Sequence, residues 1–241
     1  MRHRYIALAL LFSTVGSAGA RAQNRNTDGL VPADYARVSF AAVQPVNPSG
    51  SLKQWKAGNG VNFMWENWSA GGRGGGVGLV GFGLYADLAL LPFDESAFIQ
   101  DFSTGPNGVV LSASAGRARA LQIGVNTRVR IPVPYLTPSV SVGFGFIDWR
   151  PPTIDYVATL GSGSAKQQNR QGGVVTLAGA LDKHIYGRFA VFGEAAYSYG
   201  FTSFGQGLAA SGSACVAANC DLLKNTQFGS IRGGLRIRAN R

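Results

Sequence analysis

Hydrophobic and polar positions alternate along most of this chain. In 121–131, Leu121, Ile123, Val125, Val129 and Ile131 share one parity, with Thr127 its only polar member. Gln122, Gly124, Asn126, Arg128 and Arg130 hold the other. A period of two puts each set on one face of a strand, whereas a helix would scatter both around its axis. In 188–201, Phe189, Val191, Ala195, Tyr197, Tyr199 and Phe201 oppose Arg188, Ala190, Glu194, Ser198 and Gly200. In 139–149, Val140, Val142, Phe144 and Phe146 oppose Ser139, Ser141, Gly143 and Gly145; in 230–238, Ile231, Leu235 and Ile237 oppose Ser230, Arg232, Arg236 and Arg238. Weaker alternation marks 35–43, 60–68, 77–91 and 173–182, which makes eight expected strands.

The expected connections alternate in length. Short ones fall at 69–76, 132–138 and 182–187; long ones cover 44–58, 92–116, 150–171 and 202–226. The long ones carry turn formers such as Asn47-Pro48-Ser49-Gly50 and Gly161-Ser162-Gly163-Ser164. Hairpins tight at one end and long at the other describe an up-and-down antiparallel barrel.

Composition narrows the setting. Of 241 residues only 14% are charged, 46% are hydrophobic and 34 are glycine, which excludes a disordered chain. No apolar run beyond residue 22 is long enough for a membrane-spanning helix. Arg2, His3 and Arg4 precede the apolar stretch 5–15 and an Ala20-Arg21-Ala22 end, so 1–22 reads as a secretory signal peptide. The expected mature chain is an extension, 23–33, followed by the barrel, 34–241. Its charge falls from +10 to +7, since Arg2, Arg4 and Arg21 leave with no acid. Nucleic acid is not an expected partner, because the arginines of this exported chain are spread over several segments. The two cysteines, Cys215 and Cys220, are expected to form a disulfide; a zinc site would need ligands that no nearby residue supplies.

The run Pro134-Tyr135-Leu136-Thr137-Pro138, leading into Ser139-Val140-Ser141-Val142-Gly143-Phe144-Gly145, and the closing Gly233-Gly234-Leu235-Arg236-Ile237 carry a resemblance. Over about residues 30–241 the chain resembles the small eight-stranded outer-membrane β-barrels of the OmpA/OmpX-like type. The resemblance implies an all-β transmembrane barrel with short periplasmic turns and long extracellular loops. It also implies outer-membrane lipid, lipopolysaccharide and the barrel-assembly machinery as partners. One departure is the C-terminus, Ile237-Arg238-Ala239-Asn240-Arg241, which has no final aromatic residue.

Alternation alone does not say which face is the interior. In a soluble lipocalin-like carrier the apolar face surrounds a ligand; in a membrane barrel it meets lipid. The polar faces hold Arg37, Glu66, Asp87, Arg128, Glu194, Arg232 and Arg236 among Gly, Ala and Ser. Eight strands enclose just enough room for side chains, so these seven are expected to form a lumen charge network. Arg130, Arg236 and Arg238, beside a short turn or the terminus, are expected to reach the wet periplasmic mouth. Trp65, Trp68, Tyr135, Trp149, Tyr197, Tyr199 and Phe201 are expected to form interfacial girdles.

Candidate chemistry is thin. The lipid A deacylase barrels, similar in size and topology, use a His-x-Ser motif, but His184 is followed by Ile185 and Tyr186. Without a positioned base a serine is a poor nucleophile. Asp94 and Glu95 read as a solvated loop pair, and the glycine run at 71–76 lacks the Lys-Ser/Thr ending of a phosphate loop. Lys53, Trp55 and Lys56 in the first long loop are candidates for lipopolysaccharide contact. No catalytic, metal or cofactor site is expected. The expected role is structural, or surface interaction with an extracellular partner through the long loops; the alternatives are a lipocalin-like carrier and a lipid A-modifying enzyme.

Overall fold

A computed structural model of the chain describes residues 33–46, 50–69, 80–103, 108–131, 136–166, 169–201, 209–211 and 225–239. The expected signal peptide, the glycine run at 71–76, Tyr135, Cys215 and Cys220 lie outside the described residues, as does the side chain of Phe201.

The strands in chain order are β1 (Asp34–Pro45), β2 (Gly58–Ser69), β3 (Val80–Leu91), β4 (Val110–Ala115), β5 (Ala118–Arg130), β6 (Thr137–Arg150), β7 (Thr153–Ala158), β8 (Gly161–Lys166), β9 (Arg170–Tyr186), β10 (Phe189–Phe201), β11 (Ala209–Ser211) and β12 (Asn225–Arg238). Eight of them close a barrel in the order β1-β2-β3-β5-β6-β9-β10-β12, and β12 pairs back onto β1. Every neighbour is antiparallel, with Arg37 opposite Met64 of β2 and Arg236 of β12. Closure leaves no open edge in the wall.

The two faces divide by polarity. Outward lie Phe40, Phe63, Phe82, Leu84, Ile123, Val125, Phe144, Phe146, Leu177, Ile231 and Leu235, with Phe40 76% and Phe146 73% exposed. Inward lie Arg37, Glu66, Arg128, Glu194 and Arg236, all essentially inaccessible. This is the reverse of a lipocalin-like barrel, whose apolar face would point in. Small residues make the inward face possible. A Cβ on Gly81 would fall 2.6 Å from the Trp68 ring, which fills the lumen there.

The ends differ from the expected connections. At the short-turn end β9 continues to Tyr186, so the expected turn at 182–187 shrinks to Gly187 and Arg188. Gly187 supplies the left-handed backbone, φ 56°. At the long-loop end the expected loops contain regular structure. A helix, α1 (Glu95–Asp101), follows Asp94, and β11, β8, β7 and β4 form a second, four-stranded sheet in that order. Phe98 of α1 packs with Val110, Ala113, Ile154, Tyr156, Ala158 and Ala165 of this cap. Asp94 is no solvated loop acid: its carboxylate caps the helix, accepting from the Ala97 N–H at 3.3 Å and the Ser96 hydroxyl at 2.6 Å. Those donors, the Ser96 hydroxyl foremost, hold its pKa below the ordinary value. Glu95 accepts the Ala113 N–H of the edge strand β4, which blunts that edge against further pairing.

Candidate functional site: the barrel interior

The lower interior, toward the short turns, is ionic. Arg128 of β5 sits at its centre, with Nε 2.7 Å from Glu66 Oε1 and Nη2 2.6 Å from Glu194 Oε2. Its Nη1 donates to Ser139 at 3.1 Å. Glu194 reaches Arg232 at 3.1 Å, and Arg232 reaches Asp87 at 2.9 Å. Asn62 donates to the other Asp87 oxygen at 2.5 Å. On the other side Arg37 and Arg236 share Asp182, at 3.1 and 2.9 Å. Arg37 lies 3.8 Å from Glu66 and 3.9 Å from Glu194, which joins the two halves of the ladder. Each charge meets partners on other strands, so the ladder exists only when the barrel is closed in this register.

All seven expected lumen residues are therefore in one connected network. Three placements differ from the sequence reading. Arg130 is 1% and Arg236 2% exposed, so neither lies at a wet mouth. The Arg130 guanidinium lies over the Trp68 ring, 3.4 Å from its centroid, and faces Tyr35 at 4.9 Å. Arg37 likewise covers Phe192 at 3.9 Å. These stacks are favourable where guanidinium groups are desolvated. Asp182, which the sequence pattern places at a turn, is the shared acceptor of two arginines. Its parity with Thr176, Ala178 and Ala180 was the available signal.

The upper interior is apolar. Val43, Leu52, Trp55, Leu91, Ala118, Ile147, Trp149, Val174 and Phe228 form one buried cluster. Trp55 meets Trp149 edge-on at 6.1 Å and Phe93 at 5.6 Å; Trp149 meets Phe228 at 6.1 Å. Trp55 enters from the first long loop, held by Lys56 N–H to Pro92 O and Asp94 N–H to Gln54 O.

The expected girdle is corrected accordingly. Trp68 and Trp149 are each 1% exposed and point inward, because they share parity with Glu66 and Ile147. Trp65, Tyr197 and Tyr199 remain on the outer wall. Trp55, a candidate for lipopolysaccharide contact, is buried in the plug, and Lys56 pairs with Asp94 at 3.4 Å.

Chemically the interior offers little room. Two cavities within it measure about 20 and 10 Å³, enough for roughly one water molecule each. Among the described residues no cluster of His, Cys, Asp and Glu could hold a metal ion. The His184 Nε2 lies 3.0 Å from the Gly187 carbonyl in the short turn, far along the strand from the long-loop end.

No protein-family model matches the chain, and no curated protein matches it by sequence. Solved structures do. A major outer membrane protein of Thermus thermophilus superposes with a TM-score of 0.50 at 10% identity, over 86% of this chain and 99% of that one. The fold is that of a small outer-membrane β-barrel. Neisserial surface protein A is also similar, at TM-score 0.45 and 9% identity, over 86% of this chain and 97% of that protein. Ail, the attachment invasion locus protein of Yersinia pestis, gives 0.44 and 12%, over 87% and 100%. These structural neighbours are outer-membrane proteins.

Proposed function

We propose that this chain is a non-enzymatic outer-membrane β-barrel with a closed, non-conducting lumen, serving envelope structure or surface interaction through its long-loop cap. The observation that carries this reading is the polarity of the wall: an apolar exterior around an interior whose lower half is filled by paired charges. An apolar belt of this extent needs lipid around it, and charges so deeply buried need the partners they have. A lipocalin-like carrier would need an apolar cavity, whereas the two interior cavities among the described residues measure about 20 and 10 Å³ and are lined partly by Asp87, Glu194 and Arg232.

In this reading the long loops face the exterior of the cell. Their cap sheet presents an open groove of about 740 Å³ lined by Glu95, Ser112, Ser114, Asp155, Tyr156 and Ser162. Binding on a rigid scaffold is commonly carried by such loop structure. The absence of enzymatic work is supported by the short-turn position of His184 and the missing His-x-Ser pairing.

The test is cell fractionation with a gel of detergent-extracted protein, unboiled against boiled. A mobility shift in outer-membrane material is the expected result. Release by osmotic shock without a shift would refute the membrane reading.

A further inference from the structure

The outer faces of β5 and β6 are apolar, Thr127 apart, until they reach the long-loop rim. There the register can be followed across strands. Ala86, Ile123, Phe146 and Gly173 lie side by side in one outward row. The next row is Leu88, Leu121, Asp148 and Gln171, and the one above it sets Leu90, Arg119 and Arg150 together. Two arginines thus stand directly opposite each other on the same face, with Cβ atoms about 5 Å apart. Both are exposed, and so is Arg117 beside them.

Like charges in directly opposed cross-strand positions are unfavourable. The acid at hand answers only part of this. Asp148 Oδ2 holds Arg150 through Nε at 2.7 Å, and its Oδ1 accepts from Gln171 Nε2 at 3.3 Å. The terminal nitrogens of Arg150 are left for another acceptor, and its side chain is 51% exposed. No ion pair joins Arg119 to any carboxylate among the described residues. Asp148 therefore orients one guanidinium beside the other rather than neutralising the two.

Resting on the membrane reading above, we infer that Arg119 and Arg150 form a clamp for a phosphate group of an outer-leaflet glycolipid. Three features select this occupant. The pair faces outward, where lipid lies, and not into the lumen or the cap. It sits two strand residues beyond Leu121 and four beyond Phe146, at the height where an acyl belt gives way to headgroups. Guanidinium forks match phosphate oxygens bidentately, and with Asp148 holding only the Nε of Arg150 the pair keeps a net positive charge toward a phosphate. Leu88 and Leu121 beneath Arg119, and the row of Ala86, Ile123 and Phe146 below them, would seat the acyl chains of the same molecule.

The experiment uses the full-length mature barrel, folded in detergent, with bis-phosphorylated lipid A as probe and chemically dephosphorylated lipid A as control. Folding of each variant is checked by its heat-dependent gel shift. The unaltered barrel should retain the phosphorylated lipid preferentially, and R119Q and R150Q should each weaken retention by about tenfold, one charge-assisted contact's worth. R119K with R150K should fall between, since charge remains and the fork is lost. Equal retention of the dephosphorylated lipid, or full retention by folded R119Q/R150Q, would overturn the clamp while leaving the membrane barrel intact. Displacement of the lipid by an equal concentration of inorganic phosphate would also overturn it, as a site for free anion. If the unaltered protein shows no heat-dependent shift, the membrane reading fails and the clamp with it.

Discussion

The barrel fills its interior in two ways. Below, Arg128, Glu66, Glu194, Arg232, Asp87, Arg37, Asp182 and Arg236 form a ladder of directional contacts. Above, Trp55, Trp149, Phe228 and their neighbours form an undirected apolar plug. The ladder is drawn wholly from strands and depends on register, because a one-residue slip of a strand would send that strand's charges to the lipid face. The plug borrows Leu52 and Trp55 from a loop and depends on volume. Ionic filling therefore fixes how the strands pair, and apolar filling fixes how the loops sit on the barrel.

The largest expected effect comes from the ladder. Glu194→Ala would leave Arg128 and Arg232 each short of a carboxylate in a buried site, a loss of about 3–5 kcal/mol. The urea midpoint of the heat-modifiable form should fall accordingly. An unchanged midpoint would mean that water reaches these charges freely.

The plug should be nearly as costly to open but local in its consequences. Trp149→Ala removes a fully buried ring at a cost of about 3–5 kcal/mol. Part of this should be spent in the loops, seen as faster proteolysis near Trp55 while the barrel keeps its gel shift. Loss of that shift would place the plug, not the ladder, at the centre of barrel stability.

A smaller change tests the junction of lumen and wall. Gly81→Val would push its side chain against the Trp68 ring and disturb the Arg130 stack. Overpacking of this kind costs about 1–3 kcal/mol, readable as a lower urea midpoint and altered Trp fluorescence.

The smallest effect lies in the cap. The Asp94 pKa is depressed in the folded state by the Ser96 hydroxyl and then the Ala97 N–H. Its contribution is therefore present above the ordinary aspartate pKa, about 4, and is lost as pH falls through the depressed value. Asp94→Ala should cost about 1 kcal/mol of cap stability at neutral pH. It should also remove the acid-side loss, as read by hydrogen exchange in α1.

Much of this was legible from parity. Arg128 and Glu194 alternate with apolar neighbours, so their common side followed from period two. The misplaced aromatics were legible too. Trp65 and Trp68 are three residues apart and cannot share a face of a regular strand; nearness to a strand end does not override that parity. Asp182 falls where the sequence pattern ends its strand, yet His184 and Tyr186 still pair with β10. The cap was hidden for a physical reason. Its strands are short, β8 is mostly Ser and Gly, and they become a sheet only by pairing with one another above the barrel.

The most direct test of the doubly filled lumen is single-channel recording of the folded protein in a planar bilayer, for the unaltered chain and for Trp149→Ala. A lumen sealed independently by plug and ladder gives no conductance steps in either. Steady conductance from the unaltered barrel would contradict the sealed interior outright; steps only in Trp149→Ala would show that the ionic half does not seal on its own.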